Sequence, residues 1–118
     1  MLLDALRIVA LVPLAESWRR YAGPSKCASH FRRLGASRRP RPAEDRIRLR
    51  RLIRAIDARL PGGGKCYRRA LIEIALDPTS AREPLHFGLV HRGGPKSGHA
   101  WLESDPPALW SYDAEFIL

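Results

Sequence analysis

Three side chains in the second half of the chain could together run thiol acyl-transfer chemistry: Cys66, His99 and Asp113. Cys66 follows Gly62-Gly63-Gly64-Lys65 and opens Cys66-Tyr67-Arg68-Arg69-Ala70-Leu71, where a glycine-rich turn runs into an apolar helical pattern. A cysteine attacks as its thiolate, and its pKa falls at a helix N-terminus and beside an imidazolium. His99 stands in Gly98-His99-Ala100-Trp101-Leu102-Glu103, which reads as a strand, and Asp113 closes a second short strand, Leu109-Trp110-Ser111-Tyr112-Asp113. So arranged, His99 would take the thiol proton and later protonate the leaving amine, while Asp113 holds the useful tautomer. Backbone N–H groups at the helix start would stabilise the oxyanion. The glycines let a substrate backbone reach the sulfur. Strand alternation puts Trp101 on the face of His99, so Trp101 borders the site. Gly64 and Tyr67, on either side of the cysteine, are further candidate substrate contacts.

Each residue alone also has a plain structural reading. A helix cysteine is commonly a small buried hydrophobe, a strand histidine a packing residue, and Asp113 a turn acid. Their order on helix, strand and strand favours the chemical reading. Cys27 lies in a basic stretch with no glycine turn, and His30, His86 and His91 lack the Ala-Trp-apolar-Glu continuation, although His86 or His91 could line a cleft. Cys27 and Cys66 could pair as a disulfide, but two residues do not establish one. Lying 39 residues apart, they give no zinc-ligand spacing, so no metal or other cofactor is expected. The glycine run lacks the spacing and the Ser/Thr of a phosphate-binding loop.

The elements that must position these groups follow from periodicity. A first helix is predicted over roughly Leu2–Tyr21, interrupted or bent near Pro13 and stopped by Gly23-Pro24. A short helical patch at Cys27–Leu34 and a connector ending in Arg38-Arg39-Pro40-Arg41-Pro42 come next. A second long helix begins with Glu44-Asp45 in its first turn, and its apolar face carries Ile47, Leu49, Leu52, Ile53, Ile56 and Leu60. The Cys66–Leu76 helix points Ala70, Leu71, Ile74 and Ala75 inward. The period then changes to that of strands, at Leu85–His91, His99–Glu103 and Ala108–Asp113. Helices first and antiparallel strands after predict an α+β fold in which a nucleophile helix packs on a small sheet. The 118 residues make one domain, with a helical part over 1–60 and a catalytic core over 61–118.

Charge is uneven. Of 21 Lys and Arg residues, 17 fall within 19–69 beside only three acids, Glu44, Asp45 and Asp57, and the net charge is +9. Such a block suits an anionic partner or a solvated arginine face. Without interleaved aromatics or a binding signature, nucleic acid is not expected. The apolar run Ile8–Ala15 is too short to span a membrane, and Asp4 with no basic residue before Arg7 argues against a signal peptide. A cytoplasmic protein is expected.

The segments Cys66-Tyr-Arg-Arg-Ala-Leu, Leu85-His-Phe-Gly-Leu-Val, Gly98-His-Ala-Trp-Leu-Glu and Trp110-Ser-Tyr-Asp113 together resemble the transglutaminase-like superfamily, with its transglutaminase/papain-like core. More closely, the chain resembles the lasso peptide biosynthesis B2 proteins, the leader peptidases of that pathway. The likeness covers most of the chain and is strongest over about residues 50–118. It implies that Cys66, His99 and Asp113 form a triad that cuts a ribosomally made precursor between leader and core. It also implies a separate leader-binding recognition protein (B1 type) and a macrolactam synthetase, to which any ATP requirement would belong. The chain departs from the family at the short, charged Asp77–Pro84 segment and at Ser97-Gly98, where Phe or Ala often precedes the histidine. Two other functions remain open: a transglutaminase-type acyl transferase with the same triad, and a non-catalytic basic module that grips nucleic acid or an acidic protein.

Overall fold

The computed structural model describes residues 2–62, 65–90, 97–107, 112 and 114–118. Four α-helices, α1 (Leu2–Tyr21), α2 (Pro24–Ala36), α3 (Ala43–Arg59) and α4 (Cys66–Leu76), precede a short 3-10 turn at Ser80–Arg82. Strands β1 (Leu85–Val90), β2 (Ser97–Leu102) and β3 (Ala114–Ile117) form one antiparallel sheet in the order β2-β1-β3. The fold is α+β, as expected.

Local chemistry accounts for most of the boundaries. Asp4 in the first turn of α1 and Arg19 and Arg20 in its last turn complement the helix dipole. The helix continues through Pro13, although a proline there removes one backbone hydrogen bond. Helix α2 starts earlier and ends later than the predicted Cys27–Leu34, because Pro24 takes the first helical position, where its fixed φ suits a helix and its missing N–H costs nothing. Among the described residues β3 is Ala114–Ile117, just after the predicted Ala108–Asp113 strand. Of the predicted stretch only Tyr112 lies within the described residues, and it precedes the strand. Its register on β1 lets Phe116 stack on Phe87 at 5.1 Å and lets Leu118 exchange both backbone hydrogen bonds with Leu85.

Helix α4 is the centre of the molecule. All of Ala70–Leu76 and Arg68 are buried, because α1, α2, α3 and β2 all pack around it. A helix enclosed on all sides buries residues all round, here including Arg68 and Glu73, so the buried residues of α4 extend well beyond the predicted Ala70, Leu71, Ile74 and Ala75. On α3 the buried stripe is Leu49, Ile53 and Asp57, four residues apart, while Ile47 lies outside it, 53% exposed. The predicted apolar face is thus narrower and contains a carboxylate.

The arginines of α3 account for much of the charge block. Arg46 reaches Asp77 (2.6 Å) and Glu83 (2.8 Å), Arg50 clasps Glu73 (2.8 and 2.9 Å), and Arg54 holds Asp105 (2.5 Å). The basic half is therefore tied to the acids of the C-terminal half. The Asp77 and Glu73 carboxylates are buried and depend on these arginines, whereas the exposed Arg54–Asp105 pair contributes at most about 1 kcal/mol.

One contact between α2 and α4 is unusually close. A Cβ built at Gly35 would lie 1.9 Å from the Ile74 carbonyl oxygen and 3.0 Å from the Ala81 Cβ. Backbone cannot yield as a side-chain tip does, so Gly35→Ala is expected to push the two helices apart. We expect a loss of about 1–3 kcal/mol, read as a lower urea midpoint at unchanged m value.

Candidate functional site

The hydrogen-bond phase of the sheet places the edge that meets Cys66. Leu85 and Leu118 exchange both backbone bonds, so the odd positions of β1 pair with β3 and the even ones with β2. Ala100, opposite Phe87, therefore turns its N–H to the edge of β2 that faces away from β1. That N–H donates to Cys66 Sγ at 3.2 Å. The sulfur is thus seated at the start of α4, against the sheet edge and next to His99. By helix geometry the first N–H groups of α4 have no intrahelical acceptor and are available to an anion.

Cys66 and His99 line one cleft of about 160 Å³, together with Ala100, Trp101, Arg69 and Asp105 among others. Burial, and then the Arg69 guanidinium, hold the His99 imidazole below its ordinary value of 6.5, while Asp105 pulls the other way. A base with a depressed pKa stays neutral, and able to take a proton, at lower pH. Removing the cation reverses part of that effect. Arg69→Gln should move the acid limb of kcat/KM to higher pH, and Asp105→Asn should move it to lower pH, in profiles measured with one substrate.

An aromatic stack covers the face of the sheet turned away from α4. Trp101 stacks with His86 (5.3 Å) and with Tyr112 (5.2 Å), and His99 tilts against it at 5.9 Å. Tyr112 can lie there because its neighbour is a glycine: a Cβ at Gly88 would come within 2.5 Å of the tyrosine ring. Desolvation raises the Tyr112 pKa, followed by the nearby Cys66 sulfur and Glu115. His86 bonds to Glu103 at 2.5 Å, with Glu115 3.7 Å away. It packs on Trp101 and is not among the residues lining the Cys66 cleft.

Of the predicted site residues, Cys66, His99 and Trp101 are brought together. Asp113 and Gly64 lie outside the described residues, as does His91. Tyr67 points into the core, edge-on to Phe87 at 5.1 Å. Among the described residues its buried hydroxyl has no partner of hydrogen-bond geometry, and the Cys27 thiol is a polar neighbour. Both cysteines are free, so no Cys27–Cys66 bridge forms. Among the described residues no group of three or more His, Cys, Asp or Glu could hold a metal ion. Arg69 and Asp105 were not visible as site residues in the sequence. The spacing of Arg69 three residues after Cys66 was the one available hint.

Residues 8–111 match the family described as the transglutaminase-like superfamily. The chain belongs to that superfamily. Its members are typically cysteine-based enzymes of the peptidase or acyltransferase type, and the helix-start cysteine against a β-sheet edge agrees with that class. The chain matches no curated protein and no solved structure at a significant level. Within this transglutaminase-like chain no described helix is long and apolar enough to cross a membrane.

Proposed function

We propose that this protein is a cysteine peptidase that removes the leader from a lasso peptide precursor in the cytoplasm, working with a separate leader-binding protein. The observation that supports a thiol mechanism is the seating of Cys66 Sγ at the start of α4, on the β2 edge, in one cleft with His99. In this reading His99 takes the thiol proton and Cys66 attacks the scissile carbonyl carbon. The N–H groups at the start of α4 hold the oxyanion. His99 then protonates the leaving amine and, with the thioester formed, draws a proton from the water that hydrolyses it. Asp113, one residue beyond the stacked Tyr112, orients the imidazole. Trp101 walls the cleft, and Gly64 is retained as a backbone contact for the substrate. The choice of a lasso leader rests on the resemblance of the motifs around Cys66, His99 and Asp113, and the macrolactam synthetase would act on the released core. The same acyl-enzyme would serve a transglutaminase, in which an amine replaces water as acceptor.

The test is incubation of wild type and Cys66→Ala with precursor and leader-binding protein, followed by mass spectrometry. A single cut that disappears in the variant is the expected result. Deamidation or crosslinking without backbone cleavage would identify the transglutaminase instead. Cleavage that survives Cys66→Ala would overturn the thiol mechanism.

A further inference from the structure

Helix α1 is apolar on both sides. Ile8 and Ala15 are buried against the rest of the molecule, while Leu2, Leu3, Leu6 and Val9 are 77, 58, 59 and 50% exposed. At 100° per residue these four, with Ala10, Pro13 and Leu14, share one outward sector free of charged side chains. The face runs roughly 18 Å, from Leu2 to Leu14, at 1.5 Å per residue. A continuous aliphatic strip of that length facing water is unfavourable unless something covers it.

Two features of the surroundings indicate what covers it. Arg7 borders the strip and lines a basin of about 420 Å³ with Arg38, Arg39 and Arg41. Of the acids there, Asp4 is held by Arg41 through two hydrogen bonds (2.8 and 3.1 Å), and Asp45 lines the basin. The rim is therefore cationic on a chain of net charge +9. A second copy is a poor occupant, since an antiparallel two-fold would lay one arginine rim on the other. Between Leu2 and Leu14 the strip carries no aromatic anchor of the kind that dominates protein hot spots. Of the aromatics of α1, Trp18 is stacked on His30, and Tyr21, 81% exposed in the same sector beyond Leu14, is an amphipathic ring suited to a membrane interface. Lipid needs only aliphatic area beside cations.

We propose that α1 docks the protein on an anionic lipid surface, its Leu2–Leu14 face entering the headgroup boundary and Arg7, Arg38 and Arg39 meeting lipid phosphates. The helix lies in the interface plane and does not cross the bilayer. Attraction of the arginines is strongest at low salt and declines within a Debye length.

The experiment is co-sedimentation of the full chain with vesicles of phosphatidylcholine alone or mixed equally with phosphatidylglycerol. We expect binding only to the mixed vesicles, weakened by salt and lost in Leu6→Glu/Val9→Glu, whose melting temperature should match wild type because both sites are exposed. Each of Arg38→Ala and Arg39→Ala should lower partitioning about fivefold at low salt. Binding that ignores the Leu6/Val9 change would reduce the effect to diffuse attraction of a basic protein and overturn the docking face. Absence of vesicle binding overturns it too, and if sedimentation then shows a dimer that Leu6→Glu breaks, the strip is a self-association surface.

Discussion

Cys66→Ala should lower kcat by roughly four orders of magnitude or more while leaving the fold intact. The size follows from the proposed role: without the sulfur no acyl-enzyme would form, and only binding and oxyanion contacts would remain to act on water. The fold survives because, among the described residues, the half-buried sulfur accepts one weak hydrogen bond, from the Ala100 N–H. A stability loss below about 1 kcal/mol is therefore expected. His99→Ala should cost a similar factor, and the double variant should be hardly worse than either single one, because in the proposed mechanism base and nucleophile act as a unit. Multiplying effects would instead mean that the two residues serve separate steps. Alkylation gives an independent readout. Iodoacetamide should label Cys66, which is partly exposed, and spare Cys27, which is fully buried and whose thiol burial pushes up in pKa.

Much of this site could be read from the chain because its signals are local. The glycine turn before Cys66 and the apolar period after it predict α4 with both ends correct, and α1 likewise. The change to period two at Leu85 predicts β1 and β2 to within two residues. What escaped the sequence is carried by long-range contact. Gly35 reads as a helix breaker, yet it sits inside α2 because Ile74 comes too close for any side chain. Gly88 reads as a weak strand residue, and only the fold shows that it makes room for Tyr112. The predicted Ala108–Asp113 strand falls, Tyr112 apart, outside the described residues, while the pairing of β3 depends on Phe87 and Leu85, which are distant from it in sequence. The arginine block carried no record of its partners. Arg50 and Glu73 are 23 residues apart and Arg54 and Asp105 are 51 apart, separations at which charge pattern predicts nothing.

Asp57→Leu is expected to be among the most destabilising single substitutions. Asp57 is 1% exposed and Arg68 is 2% exposed, so both charges are desolvated. Its carboxylate accepts from Arg68 Nε at 2.6 Å and from Arg69 Nη1 at 3.3 Å. Leucine would suit the stripe of Leu49 and Ile53, yet it would leave the Arg68 guanidinium inside, with Glu16 at 3.4 Å as its next acidic neighbour. Removing one partner of a buried pair costs about 3–5 kcal/mol, a large part of the roughly 5–15 kcal/mol that holds a domain together. A fall in Tm of more than about 10 °C should follow. Asp57→Leu/Arg68→Met removes both charges and should recover most of the loss, which separates charge burial from damaged packing. If the double variant melts lower than Asp57→Leu, the pair is not the cause. The recovered protein also probes the site. Arg68 and Arg69 follow Cys66 within the first turn of α4, so their grip on Asp57 sets the rotation of that helix start relative to α3. A double variant that is stable but slow, with kcat lowered more than KM, would show that the pair aims the Cys66 sulfur as well as holding the core.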